Sequence, residues 1–545
     1  MKTNLIRSFV VGLLLLPAVV PVLAQTVSIP DTGLNTAIRL ALQIPSAPLT
    51  AQDLLRLTNL DASRRSIRST VGLETARNLI SLNLELNQLT NFSIPATLTN
   101  LFVLNLTGNP LNSFSVSSQL TNLSSLRIES SSLTNLAIPA TLTALTNLDV
   151  EGNDLSAFNL PSNLASLVSL DLGFNLFASY ALPAGLKNLS SFYFAGNPLT
   201  NVTLPSGLSA MSELNLSQNL LTSFTLPTGM TNLHELELGL NQLTNLVLPN
   251  DLKSLSELDL DFNRFSHLNL PTNLANLSFL HMRGNQFTNL ALPTGMTGLT
   301  FLNLRGNQLT NITLPPDLYH LAVFTLAENR FRVFTLPAGL TNLTELRLDS
   351  NQLTNVALPP DLMRLGFLDL GGNQLTSLSL PSGLTNLTGL FLVANQLTTL
   401  TLPPDMSQLT ELSFLANPLG TLVLSEALAA STNLSVNLTT LAALQAQSVS
   451  VVTYPLTIQL ISLRQTPAGP FQFAVSGPPG VYAVLGSFNL AVWTQLAVST
   501  NTLGFIRFSD DASPLPPHKF YRARRLDAAN SGLNSEFMWD HARLP

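Results

Sequence analysis

The sequence predicts a solenoid of short stacked turns, closed in front by a helical cap and followed by a small all-β domain. Three observations predict the stack. Asparagine recurs every 22 residues, at Asn87, Asn109, Asn153, Asn175, Asn197, Asn219, Asn241, Asn263, Asn285, Asn307, Asn329, Asn351, Asn373, Asn395 and Asn417, with Ser131 as the one interruption and no insertion. Leucines keep step with it, as in Leu343-Thr344-Glu345-Leu346-Arg347-Leu348-Asp349-Ser350-Asn351-Gln352-Leu353. The second half of each unit alternates apolar residues and then reaches proline, as in Val356, Leu358 and Pro359.

Each part of the unit has a physical reading. Leu346 and Leu348 stand two apart, so they share one face of a short strand, while Glu345, Arg347 and Asp349 face the other way. Parallel pairing of successive strands buries leucines that no single unit could bury alone. The asparagine falls where the chain leaves the strand, and its amide offers two donors and an acceptor to buried backbone. A ladder of buried amides is therefore expected there, not a ligand-contacting row, and the Ser131 hydroxyl is expected to satisfy its site in part. Proline cannot donate to a ladder, so the outer side is expected to be extended or irregular, with brief turns at most.

The ends differ from the array. Lys2 and Arg7 precede the apolar run Phe9–Val22, and Val22-Leu23-Ala24 resembles a small-residue cleavage site. Residues 1–24 read as a signal peptide; the run is short and broken by Pro17 and Pro21, which argues against a membrane anchor. In 25–57, Leu34, Ala37, Ile38, Ala41 and Leu42 follow helical spacing. Thr50 and Asp53 match a capping box for a second helix before Leu54, Leu55 and Leu57. The array is expected over 58–440, with Arg65 and Thr439 in its outermost asparagine slots and Leu434, Val436 and Leu441 in register. After a junction at 441–455, the segments Leu456–Ile461, Phe471–Val475, Val481–Leu485 and Phe505–Phe508 read as strands of a small β-domain over 456–525. Trp493, Phe520 and Tyr521 are expected in its core, and 526–545 reads as a tail.

The repeat resembles the leucine-rich repeat family over roughly residues 55–440, and the helical front resembles the cap of secreted bacterial, internalin-like proteins. The resemblance implies an arc whose parallel strands line a concave face. The C-terminal module looks like short β-domains of secreted proteins from environmental bacteria.

Composition narrows the function. The net charge of −6, with 10% charged residues, gives no basic footprint for nucleic acid. The absence of cysteine excludes disulfides and thiol chemistry, and it favours a bacterial type over animal proteins with cysteine-rich caps. None of the six histidines pairs with another at metal-ligand spacing, no phosphate-binding loop is present, and no cofactor is expected.

The informative positions are the outward strand residues. Glu213, Glu235, Glu237, Glu257, Asp259 and Asp261 fall on adjacent turns and form an acidic patch. Phe279, His281, Arg283, Phe301 and Arg305 follow, with Phe367 and Phe391 farther along; aromatics and arginines carry binding energy at interfaces. The expected function is an exported, non-catalytic binding protein for a protein or polysaccharide, located at the cell surface or beyond, with no membrane span after signal removal. The alternative is a structural surface or matrix component anchored by the β-domain. Less favoured are a calcium site in the acidic patch and a hydrolase using Glu235 and Asp259. An open sheet is expected to provide neither the pocket nor the desolvation that would raise a carboxylate pKa.

Overall fold

The computed structural model describes residues 25–90, 92–436, 441, 444, 448–464, 471–510, 519–526 and 537–540. The expected signal peptide and Thr439 lie outside the described residues. The chain divides into two compact units, Met1–Leu164 and Ala165–Pro545.

In the first unit, the helix Thr32–Leu42 starts at Asp31, whose carboxylate accepts the Leu34 N–H at 3.0 Å. Leu34, Ala37, Ile38 and Leu42 are its buried face, whereas Ala41, expected with them, is exposed. The short helix Ala51–Leu54 begins with the Thr50/Asp53 capping box. Strands Asn59–Asp61, Ser81–Asn83, Val103–Asn105, Ser125–Arg127 and Asn147–Asp149 then pair in parallel, residue for residue, 22 apart.

In the second unit twelve successive parallel pairings link the strands from Ser169–Asp171 to Ser435–Val436. Every central residue of these strands is buried, Leu214, Leu236, Leu258, Leu280 and Leu302 among them. The last step departs from the sequence expectation: Leu412 pairs with Val436, 24 residues on, not with Leu434. One helical turn, Glu426–Ala429, capped by Ser425, accommodates the two additional residues.

The asparagines are buried and act as expected. Asn241 donates from Nδ2 to the carbonyls of Leu216 (2.9 Å), Leu238 (3.1 Å) and Gly239 (3.3 Å), and its Oδ1 accepts the Leu221 N–H at 3.1 Å. One amide thus ties its own turn to the preceding one. The residue before each ladder position has a positive φ, from Leu86 to Ala416. Ser131 fills its slot in part: its hydroxyl donates to the Glu129 carbonyl at 2.9 Å, while the Leu111 N–H turns to the Asn109 carbonyl. A second ladder went unread in the sequence. Asn78, Asn100, Asn122, Asn232, Asn276, Asn342 and Asn386 each donate to a carbonyl 23 residues earlier.

The outer side carries short parallel strands, such as Ser223–Thr225 with Asn245–Val247, and no long helix among the described residues. Gly229, Gly295, Gly339 and Gly383 have positive φ there, and each donates its N–H to an aspartate of the next turn: Asp251, Asp317, Asp361 and Asp405.

The outer side leads directly into the C-terminal domain. Ser450–Tyr454 pairs in parallel with Thr421–Ser425, and the Tyr454 hydroxyl donates to the Leu402 carbonyl at 2.7 Å. Gln459–Arg464, Phe471–Ser476 and Phe505–Asp510 form one antiparallel sheet; Gly480–Ser487, Thr494–Asn501, Phe520–Arg525 and Phe537–Asp540 form another. The last of these strands lies in the stretch expected to be a tail. Phe471, Phe473, Tyr482 and Tyr521 build the core, around a buried contact in which Lys519 and the Tyr521 hydroxyl both donate to Asp510. Phe520 is only partly buried. Trp493 is not in that core: it lies partly exposed, its Nε1–H donated to the Leu490 carbonyl, with the Arg522 guanidinium 5.6 Å from its ring centre.

Asn241→Ala is expected to lower stability by about 3 kcal/mol, because it strands several buried backbone groups at once. Ser131→Asn is expected to raise it by about 1 kcal/mol. Denaturant unfolding of the full chain measures both.

Candidate ligand-binding face

Strand pairing places the outward residues in rows. Glu213, Glu235, Glu257, Phe279 and Phe301 are successive neighbours in one row, and Asn215, Glu237, Asp259, His281 and Asn303 in the next. Neighbouring strands lie about 4.8 Å apart, so like charges stand side by side. Asp261, Arg283 and Arg305 follow two residues beyond the second row. The eleven residues from Glu213 to Arg305 singled out in the sequence thus lie on five consecutive turns, with Phe367 and Phe391 on later ones.

The acidic residues are partly buried against one another. Tyr193 donates its hydroxyl to Glu213, and the Asn215 amide donates to Glu237. The Asp259 carboxylate accepts the Asp261 N–H at 2.7 Å, and Asp261 accepts the Arg283 N–H at 2.6 Å. Glycine at 239 makes room: a Cβ there would meet the Asp259 carboxylate at 2.6 Å. His281 Nε2 lies 3.8 Å from Glu257.

This crowding overturns the expectation that an open sheet leaves its carboxylates at ordinary pKa values. Burial, a hydrogen bond with Glu235 and the charges of Glu235, Asp259 and Glu257 push the Glu237 carboxyl up to about 7. Burial, reinforced by Asp259, pushes Asp261 up to about 6 against the pull of the Arg283 N–H, His281 and Arg283. Burial and Glu213 push the Tyr193 hydroxyl up to about 12. Between about pH 6 and 7 the strip therefore retains protons that an approaching cation would displace. Among the described residues, no three acids of this patch bring ligand atoms within 4.8 Å of one another, so the side chains as placed do not form a ready calcium cage.

The aromatic half lies beside it. Phe279 is 44% exposed, its ring centre 6.2 Å from that of Phe301, which also packs on His281 at 4.9 Å. Arg305 pairs with Glu328 at 2.6 Å, and the Arg283 guanidinium lies 5.0 Å from the centre of the Phe262 ring. Farther along, Phe367 and Phe391 pack at 4.9 Å, with Arg347 over Phe367 at 4.5 Å. Sequence reasoning missed Tyr193 and Asn215, which extend the acidic strip, and Leu240 and Phe262, which stand exposed on the adjoining turns. The last two were detectable, because they occupy a slot that glycine fills in many other turns.

Folded Glu237 and Asp261 retain protons that the unfolded chain releases near their ordinary values of 4.5 and 3.8. The folded state therefore binds the excess proton, and stability falls as pH rises: from about 4.5 to about 7 for Glu237, and from about 3.8 to about 6 for Asp261. Thermal melts across this range are expected to show that slope. Glu237→Gln is expected to flatten it and to raise the melting temperature above pH 7.

The sequence pattern of the BspA-type leucine-rich repeat region matches in six copies, over residues 84–170, 174–280, 301–419 and 350–445. No curated protein sequence matches the chain. Among solved structures, YopM from Yersinia enterocolitica is 24% identical with a TM-score of 0.50, covering 71% of this chain and 86% of its own. The Toll–Spätzle complex of Drosophila is 23% identical with a TM-score of 0.53, covering 69% of this chain and 55% of that one. The functional domain of InlJ from Listeria monocytogenes is 18% identical with a TM-score of 0.47, covering 95% of this chain and 98% of that one. These likenesses concern the fold. The family pattern spans more than half of the sequence and coincides with the stacked strands, and the chain belongs to the BspA-type leucine-rich repeat proteins.

Proposed function

We propose that this is an exported binding protein that holds a protein partner, without chemistry, on the strand face between Glu213 and Arg305. The observation that carries the reading is the juxtaposition of exposed Phe279 and half-buried Phe301 with a crowded strip of carboxylates on one sheet. Apolar anchors bordered by charge are what a specific interface needs. The side chains come from a backbone fixed by the asparagine ladder, so little ordering remains to oppose binding. A protein in complex with a partner is among the structures of this fold. Export rests on the signal-like residues 1–24, and among the described residues no helix is long and apolar enough to cross a membrane.

The test is capture from the native environment by the full mature chain and by a variant carrying Phe279→Ala, Phe301→Ala, Arg283→Ala and Arg305→Ala. The variant is expected to keep its circular dichroism spectrum and lose the captured protein. Equal capture by both chains removes the assignment, and capture of a glycan in place of a protein replaces the partner with a polysaccharide. The N-terminus of the exported chain is expected at Gln25.

A further inference from the structure

Leu240 and Phe262 occupy the left-handed slot before ladder residues Asn241 and Asn263, with φ of 56° and 53°. A side chain in that conformation is strained, and glycine relieves it, as at Gly284, Gly306 and Gly372. Elsewhere a bulky residue in this slot packs on a glycine of the next turn: Leu86 on Gly108, and Phe174 on Gly196, where a Cβ would meet the Phe174 ring at 2.5 Å. Phe262 covers Gly284 in the same way, and all three stay about half exposed: Leu86 43%, Phe174 49% and Phe262 43%. Leu240 has no glycine ahead of it, because the next slot is Phe262 itself, and it is 51% exposed. Two successive turns thus project strained, exposed apolar side chains, and Leu220, 42% exposed, stands on the turn before.

These turns are the ones whose strands carry Glu235, Glu237, Glu257, Asp259 and Asp261. The apolar edge and the acidic strip are therefore contiguous. Charge decides what covers them: strand pairing sets Glu235 against Glu257 and Glu237 against Asp259, and carboxylates held side by side favour an occupant that brings cations. We infer that the Leu220–Leu240–Phe262 edge and the acidic strip form one docking surface for a basic amphipathic segment of a partner protein. The segment's apolar side chains rest on Leu240 and Phe262, and its lysines or arginines face Glu235, Glu237, Glu257 and Asp259. This inference rests on the proposed protein-binding role of the strand face and names the chemistry of the partner.

The probes are two synthetic helical peptides with the same leucine face, one with lysine and one with glutamate on the polar face, titrated into the full chain by calorimetry. The lysine peptide is expected to bind and the glutamate peptide not to. Leu240→Gly, which relieves strain and exposes no cavity, is expected to melt no lower than the parent. Leu240→Gly combined with Phe262→Gly is expected to bind the lysine peptide about tenfold more weakly, as loss of two apolar anchors implies. Equal binding of both peptides, or equal binding by parent and double variant, overturns the inference. Failure of the lysine peptide to bind, while the parent still captures a protein that the alanine variant loses, discards the inference and leaves the proposed function standing.

Discussion

One side-chain amide per turn, from Asn87 to Asn417 with Ser131 as the exception, makes the rest of the structure possible. Where the chain leaves a strand it takes a left-handed residue, and the backbone groups around that bend face inward, away from water. Unpaired, they would each carry a desolvation penalty of about 1–3 kcal/mol. The buried asparagine pairs several of them, within its own turn and across to the one before, and so fixes both the bend and the distance to the next coil. Leucine packing supplies the driving force for stacking, but leucines alone would tolerate sliding. The amides set the register, and the register puts Glu235 beside Glu257 and Phe279 beside Phe301.

That register explains why the electrostatics are unlike those of an ordinary acidic surface. Exposed carboxylates usually spread apart. Here the strand spacing prevents it, and Gly239 lets one of them pack inward. The side chains are desolvated by each other, not by a cavity, so pKa values rise on a face that is open to a partner.

Much of the fold was legible because it repeats. The strands, the amide ladder, the capping box at Thr50 and the extended outer side all follow from a strict 22-residue period. The rows of the candidate face were legible for the same reason, since residues 22 apart had to be neighbours. What escaped was set by context. The raised pKa values of Glu237 and Asp261 depend on burial that no spacing reveals. The 24-residue step to Val436 reflects one local helical turn. Trp493 looked like a core residue by type, yet its indole is held near the surface by a carbonyl and an arginine. The second ladder, at Asn100, Asn232 and their equivalents, obeys the same period but was hidden by the varied residues in its other slots, such as Ala144, Ser166, Ala210, Ser254, His320 and Arg364.

The glycine-to-aspartate bonds on the outer side give the array a parity. From Gly295 through Asp405 the two residue types alternate, each glycine N–H reaching the carboxylate of the coil that follows. In this stretch the true module is a pair of coils, 44 residues long. Excising one coil would set glycine against glycine or aspartate against aspartate at the scar, whereas excising two would leave each bond intact. Genes for such arrays would then grow and shrink by even numbers, and a designer lengthening this one should copy coils two at a time.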